Sequence, residues 1–116
     1  MSTKTQPPGR ERAQFTCDTM GTTLAIRVRG EIDHHTAASI RQGMDAVLFE
    51  KRPRKLILDL SAVSFMDSSG IAVILKTYKR VNEIGGRMWV ENVPKQPMKV
   101  LDASGIERVV RITALS

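Results

Sequence analysis

Two adjacent serines, Ser68 and Ser69, stand between an acidic residue, Asp67, and a glycine, Gly70. A serine hydroxyl in such a tetrapeptide can receive a phosphoryl group, act as a nucleophile or cap the first turn of a helix. Each of these roles requires different neighbours, so the surrounding residues distinguish between them.

The flanking segments predict that the serines lie between a strand and a helix. Residues 56–60 form a short, nearly continuous apolar run, as in buried parallel strands. Apolar residues recur at helical spacing over residues 71–84. In open α/β sheets the functional loops follow the carboxyl ends of strands, and the N-terminus of a helix favours an anion. A phosphate on Ser68 or Ser69 would fit there, but capping by Asp67 or Ser68 explains the same pattern.

Hydrolytic chemistry lacks its sequence signature. A nucleophile elbow has the form G-x-S-x-G, but Met66 occupies the glycine position for Ser68, and Asp67 occupies it for the second serine. A Ser-His-Asp arrangement would require His34 or His35, at the start of the first predicted helix, to reach across the strand ends. The sequence has no phosphate-cradling glycine motif. We therefore expect a protein that is not an enzyme.

The tripeptide Asp33-His34-His35 contains side chains that can bind metals. Adjacent side chains diverge in a helix, however, and no further histidine or cysteine cluster accompanies them. We expect Asp33 to cap the first helix, with both histidines partly exposed, and we expect neither a metal nor a cofactor.

Composition limits the class of protein. The chain has 116 residues, of which 41% are hydrophobic, enough for one domain with a core. No apolar run reaches the roughly 18 residues of a membrane span, and the N-terminus has no apolar signal region. A single cysteine, Cys17, argues against a disulfide framework. We expect a cytoplasmic protein without membrane contact.

The net charge of +6 suggests an acidic partner or nucleic acid. Residues 1–12, predicted to form a mobile tail, carry three cations and one acid, and residues 51–55 (KRPRK) carry four cations. Aromatic residues make up only 4% of the chain, too few for a base-stacking platform. We interpret the basic stretch as solvated surface at the end of the fold opposite Ser68, and we expect no direct binding of nucleic acid.

Periodicity predicts one α/β domain over residues 13–116, with the element order β-β-α-β-α-β-α-β and a mostly parallel or mixed sheet. Two strands meet at Met20-Gly21, and the first helix is expected from His34 to about Phe49. Later elements are a strand over residues 87–93, a short helix opened by Pro97 and a last strand over residues 107–112. The apolar face of the second helix is predicted to comprise Ile71, Ile74, Leu75, Tyr78, Val81 and Ile84.

Several stretches together resemble the anti-sigma factor antagonists, the small STAS-domain proteins of bacilli and clostridia. They are GEIDHHTA at residues 30–37, LILDLSAVSFMDSSGIAVIL at residues 56–75, GGRMWV at residues 85–90 and LDASGIERVVRI at residues 101–112. The likeness is greatest to the sporulation antagonists of this family and covers about residues 13–113. A strand followed by FMDSSG, with DHHT upstream, is a specific combination.

The resemblance implies a partner-switching protein. In this family the unphosphorylated antagonist binds an anti-sigma factor and frees the sigma factor. The anti-sigma factor is itself a serine kinase that inactivates the antagonist, and a PP2C-type phosphatase reverses the modification. The family motif matches Ser68 to the phosphorylated residue, with Ser69 expected to cap the helix. The partner-binding residues implied are Asp33, His34, His35, Thr36, Asp67, Ser69 and Gly70.

A phosphate on Ser68 would add repulsion and a desolvation cost beside Asp67 and either Asp33 or Asp59. Two alternatives stay open. An antagonist in a general-stress pathway would have the same D-S-S-G stretch. A STAS-domain scaffold or ligand-sensing module would have the same fold without control of a sigma factor. The basic charge departs from the neutral or acidic character of the family.

Overall fold

The computed structural model describes residues 13–116, so the predicted N-terminal tail lies outside the described residues. The elements are β1 (Gln14–Met20), β2 (Thr23–Ile32), α1 (Ala37–Lys51), β3 (Lys55–Met66), α2 (Ser69–Glu83), β4 (Arg87–Val93), α3 (Lys95–Ser104), a 3₁₀ turn (Ile106–Arg108) and β5 (Arg111–Ala114). Apart from the 3₁₀ turn, this order is the predicted one.

The five strands form one sheet in the order β1-β2-β3-β4-β5. Strand β1 is antiparallel to β2, and the other neighbours are parallel. The mixed sheet predicted from the sequence is therefore confirmed. Because β2, β3 and β4 run in the same direction, the loops that follow them lie along one edge of the sheet, which we call the carboxyl edge.

The core lies between one face of the sheet and the helices. Alternate strand residues point into it, among them Ile26, Leu58 and Val90, each at most 1% exposed. Met44 of α1 and Ile74 of α2 pack in the same core, and each is also at most 1% exposed. None of the helices between residues 13 and 116 has the length and apolar character of a membrane span.

Two element boundaries near the serines differ from the prediction. Helix α1 begins at Ala37 rather than His34, because residues 34–36 form a turn in which the Asp33 carbonyl accepts hydrogen bonds from the N–H groups of Thr36 and Ala37. Strand β3 continues to Met66 instead of ending at Leu60. Its pairing with β2 shifts register between Arg27 and Arg29 and again further on, which breaks the regular alternation of buried and exposed residues.

Further along the chain, three predictions were wrong in detail. Leu75 is 38% exposed, whereas Val73, which was not assigned to the inner face of α2, is buried. Helix α3 begins at Lys95, two residues before Pro97. The last strand begins at Arg111 because residues 106–108 form the 3₁₀ turn, which lets Ile106 and Val110 enter the core.

Candidate functional site

The junction between β3 and α2 contains only Asp67 and Ser68. The Asp67 carboxylate accepts a hydrogen bond of 2.8 Å from the backbone N–H of Ser69, and the Asp67 carbonyl accepts one of 3.0 Å from the N–H of Gly70. Asp67 therefore caps α2, as one of the two sequence interpretations held. The expectation that Ser69 caps the helix was wrong, because Ser69 is the first residue of the helix.

Ser68 occupies the N-cap position of α2 without a capping hydrogen bond from its side chain. The residue is exposed, whereas its neighbour Ser69 is partly buried. The expected accessibility of Ser68 is thus confirmed. Its hydroxyl lies at the positive end of the helix dipole, on the carboxyl edge of the sheet, where a phosphate is electrostatically favoured.

Gly70 is buried where α2 begins, directly against the end of β3. A Cβ atom at this position would lie only 2.5 Å from Cγ and 2.6 Å from Sδ of Met66. Only glycine fits without displacing the methionine. Since Gly70 is buried, its role is to bring Ser68 close to the end of β3, and it presents little surface to a partner.

The loop between β2 and α1 is held by a reciprocal pair of side chains, Asp33 and Thr36. Asp33 Oδ1 accepts hydrogen bonds from the N–H groups of His35 (2.8 Å) and Thr36 (3.1 Å). In return, the N–H of Asp33 donates to Thr36 Oγ1 at 3.0 Å. Asp33 is only 8% exposed, and its hydrogen bonds fix the turn that carries the histidines. The expectation that Asp33 caps the first helix was wrong, because α1 begins at Ala37 and Thr36 occupies its N-cap position.

The two histidines project outward from this loop. Their ring centroids are 4.0 Å apart with an interplanar angle of 40°, so they do not diverge as expected for a helix, since they lie in the turn. His34, whose side chain is 74% exposed, places Nδ1 4.0 Å from Oδ2 of Asp67. The N–H of Asp67 also donates to the Ile32 carbonyl at 3.1 Å. The DHHT and DSSG segments therefore lie side by side.

These contacts bring together the residues that the sequence analysis selected from two separate segments. Asp59 is the exception: it lies seven residues before the end of β3, roughly 20 Å away along the strand. It is therefore not adjacent to Ser68. Within residues 13–116, no group of three or more histidine, cysteine, aspartate or glutamate side chains is arranged to hold a metal ion.

Asp59 has a separate structural role in the sheet. Its carboxylate accepts hydrogen bonds from the Ser61 N–H (2.8 Å) and from Asn92 Nδ2 (3.1 Å). Partial burial raises the pKa of Asp59, but hydrogen bonds from Ser61 and Asn92 and the charge of Arg27 outweigh that effect and leave the pKa below its ordinary value. The charged carboxylate thus joins β3 to β4 where their pairing ends at Asp59 and Glu91.

One residue of the site was missed from the sequence. Gln96, in the first turn of α3, accepts a hydrogen bond from the Met66 N–H (2.9 Å) and donates one to the Met66 carbonyl (2.8 Å). Pairing between β3 and β4 ends at Asp59, so the glutamine replaces a strand partner for the last residue of β3. A single glutamine near a proline carries no local signal for such a role.

Exposed apolar side chains lie on both sides of the junction. Phe65, the penultimate residue of β3, is 41% exposed, and Leu75 of α2 is 38% exposed. Leu75 follows Ser68 by seven residues, which is two helical turns, so both residues lie on the same face of α2. Phe65 precedes Met66 in the strand and therefore points to the opposite face of the sheet from α2. We call the surface formed by His34, His35, Ser68 and Leu75 the switch surface.

Comparison with known proteins places the chain in a family. Residues 14–115 match the model of the STAS domain. The chain belongs to the STAS-domain family. It is 39% identical over 89 residues to the anti-sigma F factor antagonist of Paenibacillus polymyxa, covering 77% of this chain and 76% of that protein. It is 30% identical over 93 residues to the anti-sigma-B factor antagonist of Bacillus subtilis strain 168, covering 80% of this chain and 84% of that protein.

Solved structures of the anti-sigma factor antagonist SpoIIAA also match this STAS chain. The unphosphorylated form is 28% identical with a TM-score of 0.72, covering 85% of this chain and 87% of that chain. The phosphorylated form from Bacillus is 30% identical with a TM-score of 0.63, covering 85% of this chain and 90% of that chain. These relatives are regulatory proteins rather than enzymes, in agreement with the prediction from the sequence.

Proposed function

We propose that this STAS domain is an anti-sigma factor antagonist that is switched by phosphorylation of Ser68. In this proposal the unphosphorylated form binds an anti-sigma factor with serine kinase activity and releases the sigma factor. The kinase ends the interaction by modifying Ser68, and a PP2C-type phosphatase restores it. The exposed Ser68 hydroxyl at the start of α2, left free because Asp67 caps the helix, is the observation that carries the proposal.

Charge explains how a phosphate on Ser68 would act. The modification adds about −1.5 to −2 charges next to Asp67, which already carries a carboxylate. A partner that approaches the switch surface would then meet two neighbouring anions and would have to desolvate both. A difference of a few kcal/mol between the two forms is enough to exchange partners, and it requires no refolding of the domain.

The residues around Ser68 divide into two roles. Asp33, Thr36, Asp67 and Gly70 hold the two loops in position through the hydrogen bonds and the close packing described above. His34, His35 and Leu75 are exposed and available to a partner. Exposed apolar groups beside a modifiable hydroxyl are suited to a docking surface whose affinity depends on charge.

The relatives favour a sporulation pathway. Identity is higher to the antagonist named for an anti-sigma F factor than to the one named for an anti-sigma-B factor. SpoIIAA, which has been solved in phosphorylated and unphosphorylated forms, supports a phosphorylation switch. We place the protein in the cytoplasm, where such partners act. A STAS scaffold or ligand-sensing module is the alternative, and it requires no kinase.

Intact mass spectrometry tests the proposal. The wild type, Ser68→Ala and Ser69→Ala are incubated with ATP and the anti-sigma kinase of the same cell. Addition of one phosphate to the wild type and Ser69→Ala, but not to Ser68→Ala, is the expected result. Absence of the phosphate only from Ser69→Ala would show that Ser69, rather than Ser68, is the modified residue. The kinase is first shown to be active on another substrate. Absence of phosphate from the wild type and from both variants would then favour the alternative, a STAS scaffold or ligand-sensing module.

A further inference from the structure

A groove with a volume of about 460 Å³ lies between α2 and the first residues of β4 and β5. The residues that line it include Tyr78, Arg87, Met88, Trp89, Val109 and Arg111. Strands β3, β4 and β5 begin at this edge of the sheet, whereas Ser68 follows the opposite end of β3. The groove is thus remote from Ser68, and the proposed phosphorylation does not account for it.

The backbone is open at this point of the sheet. Pairing between β4 and β5 begins with Trp89 and Arg111, so β5 does not cover the edge of β4 at Arg87 and Met88. An extended segment of chain can lie along such an uncovered edge. Val109, which is 51% exposed, and the partly exposed Trp89 add apolar surface that an inserted side chain would cover.

Positive charge surrounds the groove. Arg87 and Arg111 line it and are both exposed. Lys55 pairs with Arg87 across the strands and places Nζ 4.9 Å from the centre of the Trp89 ring. Within residues 13–116, none of these three cations forms an ion pair with a carboxylate. The rim of the groove therefore carries positive charge that no carboxylate of the described residues neutralises by direct contact.

We propose that this groove binds an acidic segment of a partner protein, with one apolar or aromatic side chain among its carboxylates. The three cations Lys55, Arg87 and Arg111 provide the electrostatic complement, and the surface formed by Val109 and Trp89 accommodates the apolar side chain. A second copy of the chain carries a net charge of +6, and residues 1–12 carry a net charge of +2, so both are repelled from the groove. The aliphatic side chains suit a peptide better than a sugar-phosphate backbone.

Trp89 makes the binding directly measurable. It is the single tryptophan of the chain, and it lines the groove. The probe is a synthetic nonapeptide with a central phenylalanine flanked by four acidic residues on each side. Three comparison ligands are the same peptide with alanine at the centre, a peptide with lysine replacing every acid, and a nine-nucleotide oligothymidylate. Each is titrated into the full-length protein while Trp89 fluorescence is recorded.

The variant Arg87→Glu/Arg111→Glu reverses the two cations that line the groove. A matched control, Lys95→Glu/Lys99→Glu, makes the same change of net charge on α3. We expect the double arginine variant to raise the Kd of the acidic peptide by at least about tenfold, and the control by less than about twofold. Arg87→Gln/Arg111→Gln serves as a second test, with an intermediate loss, if the reversed variant does not fold.

Each ligand separates the proposal from its competitors. Weaker binding of the alanine peptide and no binding of the lysine peptide are the results expected. Equal binding of the phenylalanine and alanine peptides would overturn the apolar part of the proposal. An oligothymidylate that binds as tightly as the acidic peptide would overturn it in favour of a general polyanion site. Unchanged affinity in both arginine variants, or no fluorescence change with the acidic peptide, would exclude the groove as the site.

Discussion

The Oδ1 atom of Asp67 lies 2.8 Å from the backbone nitrogen of Ser69 and accepts its hydrogen bond. This contact assigns different roles to adjacent residues of the same loop. Asp67 caps α2, and Ser68, which occupies the N-cap position, leaves its side chain free of that task. The residue proposed to be modified and the residue that caps the helix are therefore distinct.

The division of roles predicts different costs for two alanine substitutions. Asp67→Ala should lower the free energy of unfolding by about 1 kcal/mol, because the Ser69 N–H loses its acceptor at the helix terminus. Ser68→Ala should change it by less than about 0.5 kcal/mol, because no capping bond is removed. Denaturant titration followed by circular dichroism measures both. Equal destabilisation by the two variants would contradict the assigned cap.

The close packing of Gly70 on Met66 leads to a second prediction. Gly70→Ala should destabilise the domain by about 1–3 kcal/mol, because its Cβ would lie 2.5 Å from Met66 Cγ. Truncation of Met66 to alanine removes the clashing atoms. In a double-mutant cycle, the loss of unfolding free energy in Gly70→Ala/Met66→Ala should therefore be smaller than the sum of the losses in the two single variants. The difference should exceed about 0.5 kcal/mol. Additive costs would show that the two residues do not compete for the same space.

Much of the fold was predictable from periodicity, because apolar runs and helical spacing report directly on burial. The limits of that signal appear in β3. Residues 61–65 alternate irregularly between polar and apolar, since the pairing with β2 shifts register twice, and the strand was predicted to end at Leu60. In α2, Val73 and Leu75 are both apolar, and only the packing of α2 in the folded domain decides that Val73 is the buried one.

The candidate site was predictable where local chemistry determines structure. Asp67 bonds the N–H of Ser69 two residues further on, so residue type and position sufficed to predict a cap. The same signal misplaced the start of α1, because Asp33 holds the turn before that helix. The contact between His34 and Asp67 joins segments more than thirty residues apart and depends on the parallel arrangement of β2 and β3. Gln96 was missed for the same reason: its hydrogen bonds to Met66 exist only after α3 has packed beside β3.

Gln96 is accordingly predicted to stabilise the end of β3. Gln96→Ala should cost about 1–3 kcal/mol, because the N–H and carbonyl of Met66 both lose their side-chain partner. Gln96→Glu retains an acceptor for the N–H but cannot donate to the carbonyl when ionised, so it should recover only part of this loss. Hydrogen exchange at the Met66 amide reports the site directly. Unchanged protection of that amide in Gln96→Ala would contradict the assignment.

The lowered pKa of Asp59 predicts a dependence of stability on pH. Because the folded-state pKa lies below 3.8, the ordinary value of an aspartate, Asp59 stabilises the fold above that pH. The contribution is lost as the pH falls from 3.8 through the lower folded-state pKa. Asp59→Asn should therefore flatten the stability profile in this acidic range. Denaturant titrations of both proteins at a series of pH values measure the difference, and parallel profiles would show that Asp59 is not the responsible carboxylate.

Ser68→Asp tests the electrostatic basis of the proposed switch. The new carboxylate lies beside Asp67 on the exposed switch surface, so binding to the anti-sigma factor should weaken by about tenfold, although one carboxylate carries less charge than a phosphate. Ser69→Asp is the matched control, since it introduces the same charge on a partly buried residue next along the chain. Calorimetric titration with the anti-sigma factor measures both affinities, and denaturant titration verifies that each variant is folded. Weakening only in Ser68→Asp would support a switch centred on that hydroxyl. Full affinity in folded Ser68→Asp would mean that charge at this position does not control binding, and the partner surface would then have to lie elsewhere.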